Sequence, residues 1–152
     1  MELTPKEKGN LTELQCLVAF AEQGLKVSIP YGENCRYDFI LDIKGTLLKI
    51  QCKTSSLKEE GVYKFQTSSS RANTKGMTRI SYEKEDVDYF CTFINEKCYL
   101  IPFDETASRE KVLRFVPPKN NLHVYPLPRI APEQICLLML NFSNRNCIRC
   151  NF

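Results

Sequence analysis

Histidine is almost missing from this 152-residue chain, which holds only His123. Catalysis by a pair of histidines is thereby excluded, and so is a Cys/His zinc finger of the two-histidine kind. As a lone general base, His123 competes with the plainer reading of a surface or half-packed histidine in a proline-rich stretch. Long apolar runs are missing too, so no segment reaches the roughly 20 residues that span a bilayer. The N-terminus from Met1 to Lys8 is charged and has no apolar signal-peptide core. There is no glycine-rich phosphate cradle, no internal repeat and no convincing linker. An excess of one charge is also missing. A net charge of +3 permits a nucleic-acid partner without announcing one, so any electrostatic case rests on local patches.

What is present is the composition of a globular protein, 43% hydrophobic and 26% charged, at a length that suits one domain over residues 1–152. Eight cysteines would suit a disulfide scaffold in a short secreted chain. Here, however, Cys52, Cys91, Cys98 and Cys136 lie inside apolar runs, where a free thiol behaves as a small hydrophobe. The expectation is a reduced, cytoplasmic protein without membrane association. Cys147 and Cys150 have half of a zinc-site spacing but no second pair, and metal binding there stays open.

The chain is organised around residues 36–54, which read as two antiparallel strands joined by a tight turn at Lys44-Gly45-Thr46. Alternation puts Tyr37, Phe39, Leu41 and Ile43 on one face of the first strand, with Asp38, Ile40 and Asp42 on the other. On the second strand Leu48, Ile50 and Cys52 oppose Lys49, Gln51 and Lys53. Before this hairpin, the pattern predicts a helix over 10–23 with Asn10 as N-cap and an apolar stripe of Leu14, Leu17, Val18 and Ala21. A short strand over 26–30 follows it. After the hairpin come a strand over 61–66 and a polar, acid-free stretch over 67–79 that reads as a long loop. A second hairpin turns at Asn95-Glu96, a short strand covers 111–116, and a last helix over 132–141 is apolar all round. This order suggests an α/β sandwich around a mixed sheet.

The chemistry left after elimination lies in Glu13, Asp38, Gln51 and Lys53. The Asp38 carboxylate, the Gln51 carboxamide oxygen and the Cys52 main-chain carbonyl form an oxygen set suited to a hard divalent cation such as Mg²⁺. Such a site suits phosphodiester hydrolysis, with Lys53 positioning water or neutralising developing charge. Glu13 would complete the outer shell or a second metal position. Plainer readings stand beside these. Glu13 falls three residues after Asn10 and fits a capping box, Asp38 fits a solvated strand edge, and Gln51 with Lys53 fits an ordinary polar sheet face.

Glu13 on an initial helix, then Tyr37-Asp38, then Ile50-Gln51-Cys52-Lys53 on the following strand resembles the PD-(D/E)XK nuclease superfamily. The wording around these residues looks like the group containing the intron-encoded homing endonucleases of cyanobacteria, over about residues 9–115. The resemblance implies a restriction-endonuclease-like core, a central mixed β-sheet flanked by α-helices. It also implies a site-specific double-strand DNA endonuclease that uses Mg²⁺ or Mn²⁺. Two departures stand out: Tyr37 replaces the motif's proline, and Gln51 replaces its second acidic residue, which removes a negative charge from the metal site. A Holliday-junction or repair nuclease on the same core is an alternative, as is a catalytically silent nucleic-acid-binding module. For DNA contact the expectation names Lys64, Arg71, Lys75 and Arg79, weighed against a solvated basic loop. For assembly it names a homo-dimer or dimer of dimers held by the 132–141 helix, weighed against burial of that helix in its own domain.

Overall fold

The computed structural model of the chain describes residues 2–32, 34–74, 76–106 and 109–116. Lys75, His123, Cys136, the 132–141 helix, Cys147 and Cys150 lie outside those residues.

The first helix, α1 (Pro5–Glu22), starts a turn and a half earlier than Asn10 suggests. Its N-cap is Thr4, whose hydroxyl accepts from the Glu7 N–H while the Glu7 carboxylate accepts from the Thr4 N–H at 2.8 Å. This reciprocal capping box, with Pro5 at the first helical position, satisfies two orphan donors and outcompetes Asn10. Glu13 is therefore a mid-helix residue and not a capping partner. Gly24 ends the helix at φ +73°, a conformation open to glycine without cost. The buried face is Thr12, Cys16 and Phe20, and only Leu17 of the expected stripe packs near the core. Leu14 and Val18 stay 58% and 56% exposed. Two small side chains at positions 12 and 16 let the helix lie close on the sheet, where Phe20 meets Phe39 edge-on at 5.7 Å.

Strands β1 (Lys26–Ser28), β2 (Phe39–Ile43) and β3 (Thr46–Cys52) pair antiparallel. The turn between β2 and β3 uses Lys44 at φ +53° and Gly45 at φ +89°, the doubly positive geometry that matches strand twist. Register sets Phe39 against Ile50 and Leu41 against Leu48, so the apolar face expected from alternation is the one buried. Next come β4 (Ser56–Glu59), β5 (Val62–Gln66), β6 (Ser68–Asn73), β7 (Gly76–Ser81), β8 (Tyr89–Ile94), β9 (Lys97–Pro102) and β10 (Glu110–Arg114). A single 3-10 turn, Phe103–Glu105, precedes β10. The main sheet runs β1-β2-β3-β8-β9, and its one parallel pair, β3 with β8, makes it mixed. The β8–β9 turn is at Asn95 and Glu96, both with positive φ, where the sequence predicts it.

α1 packs across β1, β3, β8 and β9. Cys16, Phe20, Phe39, Leu41, Ile50, Cys52 and Cys91 form the core between them. A three-stranded sheet, β10-β5-β4, contributes to a second core, in which Phe65 and Leu113 pack with Tyr82, Val87, Phe90, Ile94 and Ile101. The largest correction concerns residues 67–79. They are no loop: β6 and β7 pair in continuous register from Ser68–Ser81 to Asn73–Gly76 as a separate two-stranded ribbon. Turn-forming Ser, Thr and Asn masked a ladder that needs no apolar face, because the β7 strand is exposed along its whole length.

Candidate active site

Asp38 precedes β2 and extends its pairing, its N–H donating to the Ile50 carbonyl at 2.8 Å. Its side chain thus lies on the face of Gln51, away from the α1 core. Asp38 Oδ2 accepts from the Cys52 N–H at 2.6 Å and from Gln51 Nε2 at 2.5 Å. The same Nε2 donates to the Cys52 carbonyl at 3.2 Å. Two acceptor oxygens, one carboxylate and one main-chain, therefore converge on a single carboxamide. Glu13 of α1 forms a further wall, in a cleft it shares with Gly9, Asn10, Asp38, Lys53 and Thr54. The cleft continues past Glu13 and Asp38 to Ile29, Gly32 and Tyr37. Among the described residues the Glu13 carboxylate has no hydrogen-bond partner.

The electrostatics follow from partial burial. Desolvation raises the Asp38 pKa, against the pull of the Cys52 N–H, the Gln51 amide and the Lys53 charge. Desolvation also raises Glu13, and the neighbouring Asp38 charge adds to it. Two carboxylates pushed up in one cleft, beside a carbonyl and a carboxamide, make an oxygen-rich donor set that a hard divalent cation fits. Lys53 is lowered by burial, with Asp38 opposing the shift. Its Nζ donates to the Tyr82 hydroxyl at 2.9 Å and to the Ser68 carbonyl at 3.3 Å, and lies 4.7 Å from the Tyr82 ring centroid.

Glu13, Asp38, Gln51 and Lys53 are thus brought together, and Lys64 is not. Lys64 sits on β5 and pairs with Glu110 at 3.3 Å. Arg71 falls on β6 and Arg79 on the exposed β7, so both belong to the ribbon. Two neighbours of the site were missed from sequence. Arg36 donates to Ser69 Oγ at 3.0 Å, to the Ser81 carbonyl at 2.6 Å and to Asp86 at 3.2 Å, with its guanidinium 4.4 Å from the Tyr82 ring centroid. Tyr82, with its hydroxyl pushed up to about 12 by burial, is held between Arg36 and Lys53. Together they fasten the base of the ribbon to the cleft. Nothing in local sequence pattern marks either residue, because both act through contacts more than 25 positions away.

The model of the PD-(D/E)XK endonuclease family matches residues 3–125, most of the chain. The chain belongs to that family. As a PD-(D/E)XK endonuclease it carries the expected α/β, restriction-endonuclease-like core, and nucleases of this family generally use divalent metal ions. The bacterial homing endonuclease I-Ssp6803I superposes on it with a TM-score of 0.69 at 25% identity, over 91% of this chain and 95% of that one. No curated protein matches it. Among the described residues, no helix is long and apolar enough to cross a membrane.

Proposed function

We propose that this nuclease is a magnesium-dependent, site-specific double-strand DNA endonuclease of the homing type. The observation that carries the reading is the convergence of Asp38 Oδ2, the Cys52 carbonyl and the Gln51 carboxamide in a cleft that also holds Glu13 and Lys53. Asp38, the Cys52 carbonyl and, with its amide turned over so that Oε1 replaces the Nε2 that now faces both, Gln51 would hold Mg²⁺ or Mn²⁺, with Glu13 in the outer shell or at a second position. A cation held there would supply Lewis-acid polarisation of the scissile phosphate and a more acidic water. Lys53, oriented by Tyr82, offers its ammonium to the charge that develops on the phosphate oxygens. Gln51 in place of an acid leaves the site one negative charge short and favours weaker metal binding.

The β6–β7 ribbon supports duplex DNA as substrate. A two-stranded ribbon fits the major groove of B-DNA, where hydroxyls and cations meet phosphates and arginine reads guanine edges. We assign that contact to Arg71 and Arg79, with Lys64 and Lys75 as further phosphate contacts. Each chain supplies one cleft and cuts one strand, so a concerted double-strand break needs two copies. A dimer or dimer of dimers through the helix expected over 132–141 meets that need.

A supercoiled-plasmid assay tests the proposal. Nicked and linear products should form with Mg²⁺ and vanish with a chelator, and cleaved-site selection from a genomic DNA pool should return one long motif. Equal cleavage with and without the chelator overturns the metal role. Sites without a common motif overturn the specificity.

A further inference from the structure

Cysteines 16, 52, 91 and 98 are separated in sequence by 6 to 38 residues and belong to four different elements, α1, β3, β8 and β9. They converge on the core between the helix and the sheet. The Sγ atoms of Cys16, Cys52 and Cys91 all lie within 4.8 Å of one another, and these side chains are 0%, 9% and 0% exposed. Cys52 Sγ and Cys91 Sγ are 2.9 Å apart, because the parallel register of β3 and β8 sets these two residues side by side. Cys98 packs against the same core beside Cys16 and Cys91, with its Sγ more than 4.8 Å from at least one of the three. Cys98 is the one of the four that keeps partial exposure. Phe20, Phe39, Leu41 and Ile50 belong to the same core.

We infer that Cys16, Cys52, Cys91 and Cys98 form a tetrathiolate site for one zinc ion, which clamps α1 to the central sheet. Four sulfur donors and no oxygen select a soft, thiophilic cation over magnesium. Zn–S bonds of about 2.3 Å in a tetrahedron set sulfurs about 3.8 Å apart. The Cys16–Cys52–Cys91 trio has that scale; the Cys52–Cys91 pair would open by about 1 Å, and Cys98 would move in to complete the tetrahedron. A polynuclear cluster needs wider spacing than three sulfurs within 4.8 Å allow. The site is independent of the carboxylate cleft, yet it touches the same strand. Cys52 turns its thiol to one side of β3, while its N–H bonds Asp38 and its carbonyl accepts from Gln51 on the other. Cys16 lies one helical turn from Glu13. Zinc would therefore hold both walls of the cleft in place without entering the chemistry. Because the thiols must lose their protons, zinc affinity falls as pH falls.

The test uses the full chain, purified reduced and without chelator. Elemental analysis should find one zinc per chain. Metal-free protein given Co²⁺ should develop sulfur-to-cobalt charge transfer in the near ultraviolet and the intense visible bands of tetrahedral cobalt. Asp38→Ala should keep the zinc. Cys98→Ser, the mildest of the four changes because Cys98 is least buried, should weaken it by more than the roughly 100-fold that losing a supporting hydrogen bond costs a zinc site. A readout on the unaltered chain covers the case in which that variant misfolds: zinc should protect Cys16, Cys52, Cys91 and Cys98 from alkylation in peptide maps, and leave Cys35 reactive. A folded, reduced protein that takes up neither zinc nor cobalt overturns the inference. So does a Cys52–Cys91 disulfide in protein purified without reductant, or protection that maps to Cys147 and Cys150 instead.

Discussion

Replacing Asp38 by Asn or Ala separates what its charge does from what its oxygen holds. The carboxylate accepts from the Cys52 N–H at 2.6 Å and Gln51 Nε2 at 2.5 Å, inside a partly buried cleft. Alanine leaves both donors without that acceptor, and an unmade hydrogen bond at a buried group costs about 1–3 kcal/mol. Asparagine keeps one acceptor oxygen in place and removes the charge. Asp38→Ala should therefore be less stable than Asp38→Asn by about 1–3 kcal/mol, which for a chain of this size lowers Tm by roughly 3–10 °C. The pH dependence separates the charge effect. Burial raises the folded-state pKa of Asp38, so the folded chain holds its proton to higher pH than the unfolded chain does. Without metal, wild type should lose stability relative to Asp38→Asn as pH rises from about 4, the unfolded value, through the raised folded value, with a constant deficit above it. Thermal melts by circular dichroism at pH 4.5 and 8, with chelator present, measure both differences. Added Mg²⁺ should then raise the Tm of wild type and leave both variants unchanged, while plasmid cleavage is lost in both. If Asp38→Ala and Asp38→Asn melt together, the two hydrogen bonds are not what holds the end of β3. Wild type gaining on Asp38→Asn as pH rises would refute the burial argument.

Arg36→Lys should cut specific cleavage at least tenfold while global folding persists, because an ammonium cannot reproduce three guanidinium contacts and the stack on Tyr82; single-turnover rates on a cleaved site and circular dichroism check the two halves. Gln51→Glu should retain cleavage and lower the Mg²⁺ concentration for half-maximal rate, since it restores a negative ligand; an unchanged or raised requirement would count against Gln51 as a ligand. Thr92→Val should stabilise the chain by about 1 kcal/mol in denaturant titration, because the Thr92 hydroxyl is buried with no partner among the described residues. Arg79→Ala should reduce the salt slope of DNA binding by about one if it contacts phosphate, or relax preference at one base pair if it reads an edge; no change in either leaves the ribbon without that contact.

The parts of this protein that a reader of the sequence can find are those governed by local rules. Period-two alternation over residues 36–54 yields the correct faces, and so the correct grouping of Asp38, Gln51 and Lys53 opposite Phe39, Leu41 and Ile50. Lys44-Gly45 and Asn95-Glu96 mark their turns because positive φ restricts the residues that fit there. The start of α1 is legible too, because Thr4-Pro5 with Glu7 is a stronger capping signal than Asn10, and with the cap at Thr4 Glu13 falls mid-helix. The ribbon was not legible, because period-two hydrophobicity is the usual sign of a strand and β7 buries no side chain. Its pairing is held instead by anchors at its base, where Arg36 bonds Ser69 and the Ser81 carbonyl and Lys53 bonds the Ser68 carbonyl.

The cysteines mislead for the same physical cause. Read one at a time, Cys52, Cys91 and Cys98 are small apolar residues in apolar strands, and that description is correct for each. Their convergence depends on one non-local fact, the parallel pairing of β3 with β8, which sets Cys52 beside Cys91. The antiparallel turn of β8 into β9 then returns Cys98 to the same face, and α1 lowers Cys16 onto it. A register slip of one residue would turn Cys52 outward and carry Gln51 into the apolar core, destroying both groups at once. The thiol cluster and the carboxylate cleft are therefore two readings of one strand register. Any change that loosens α1 or β8 against β3 should weaken them together, even where it touches neither.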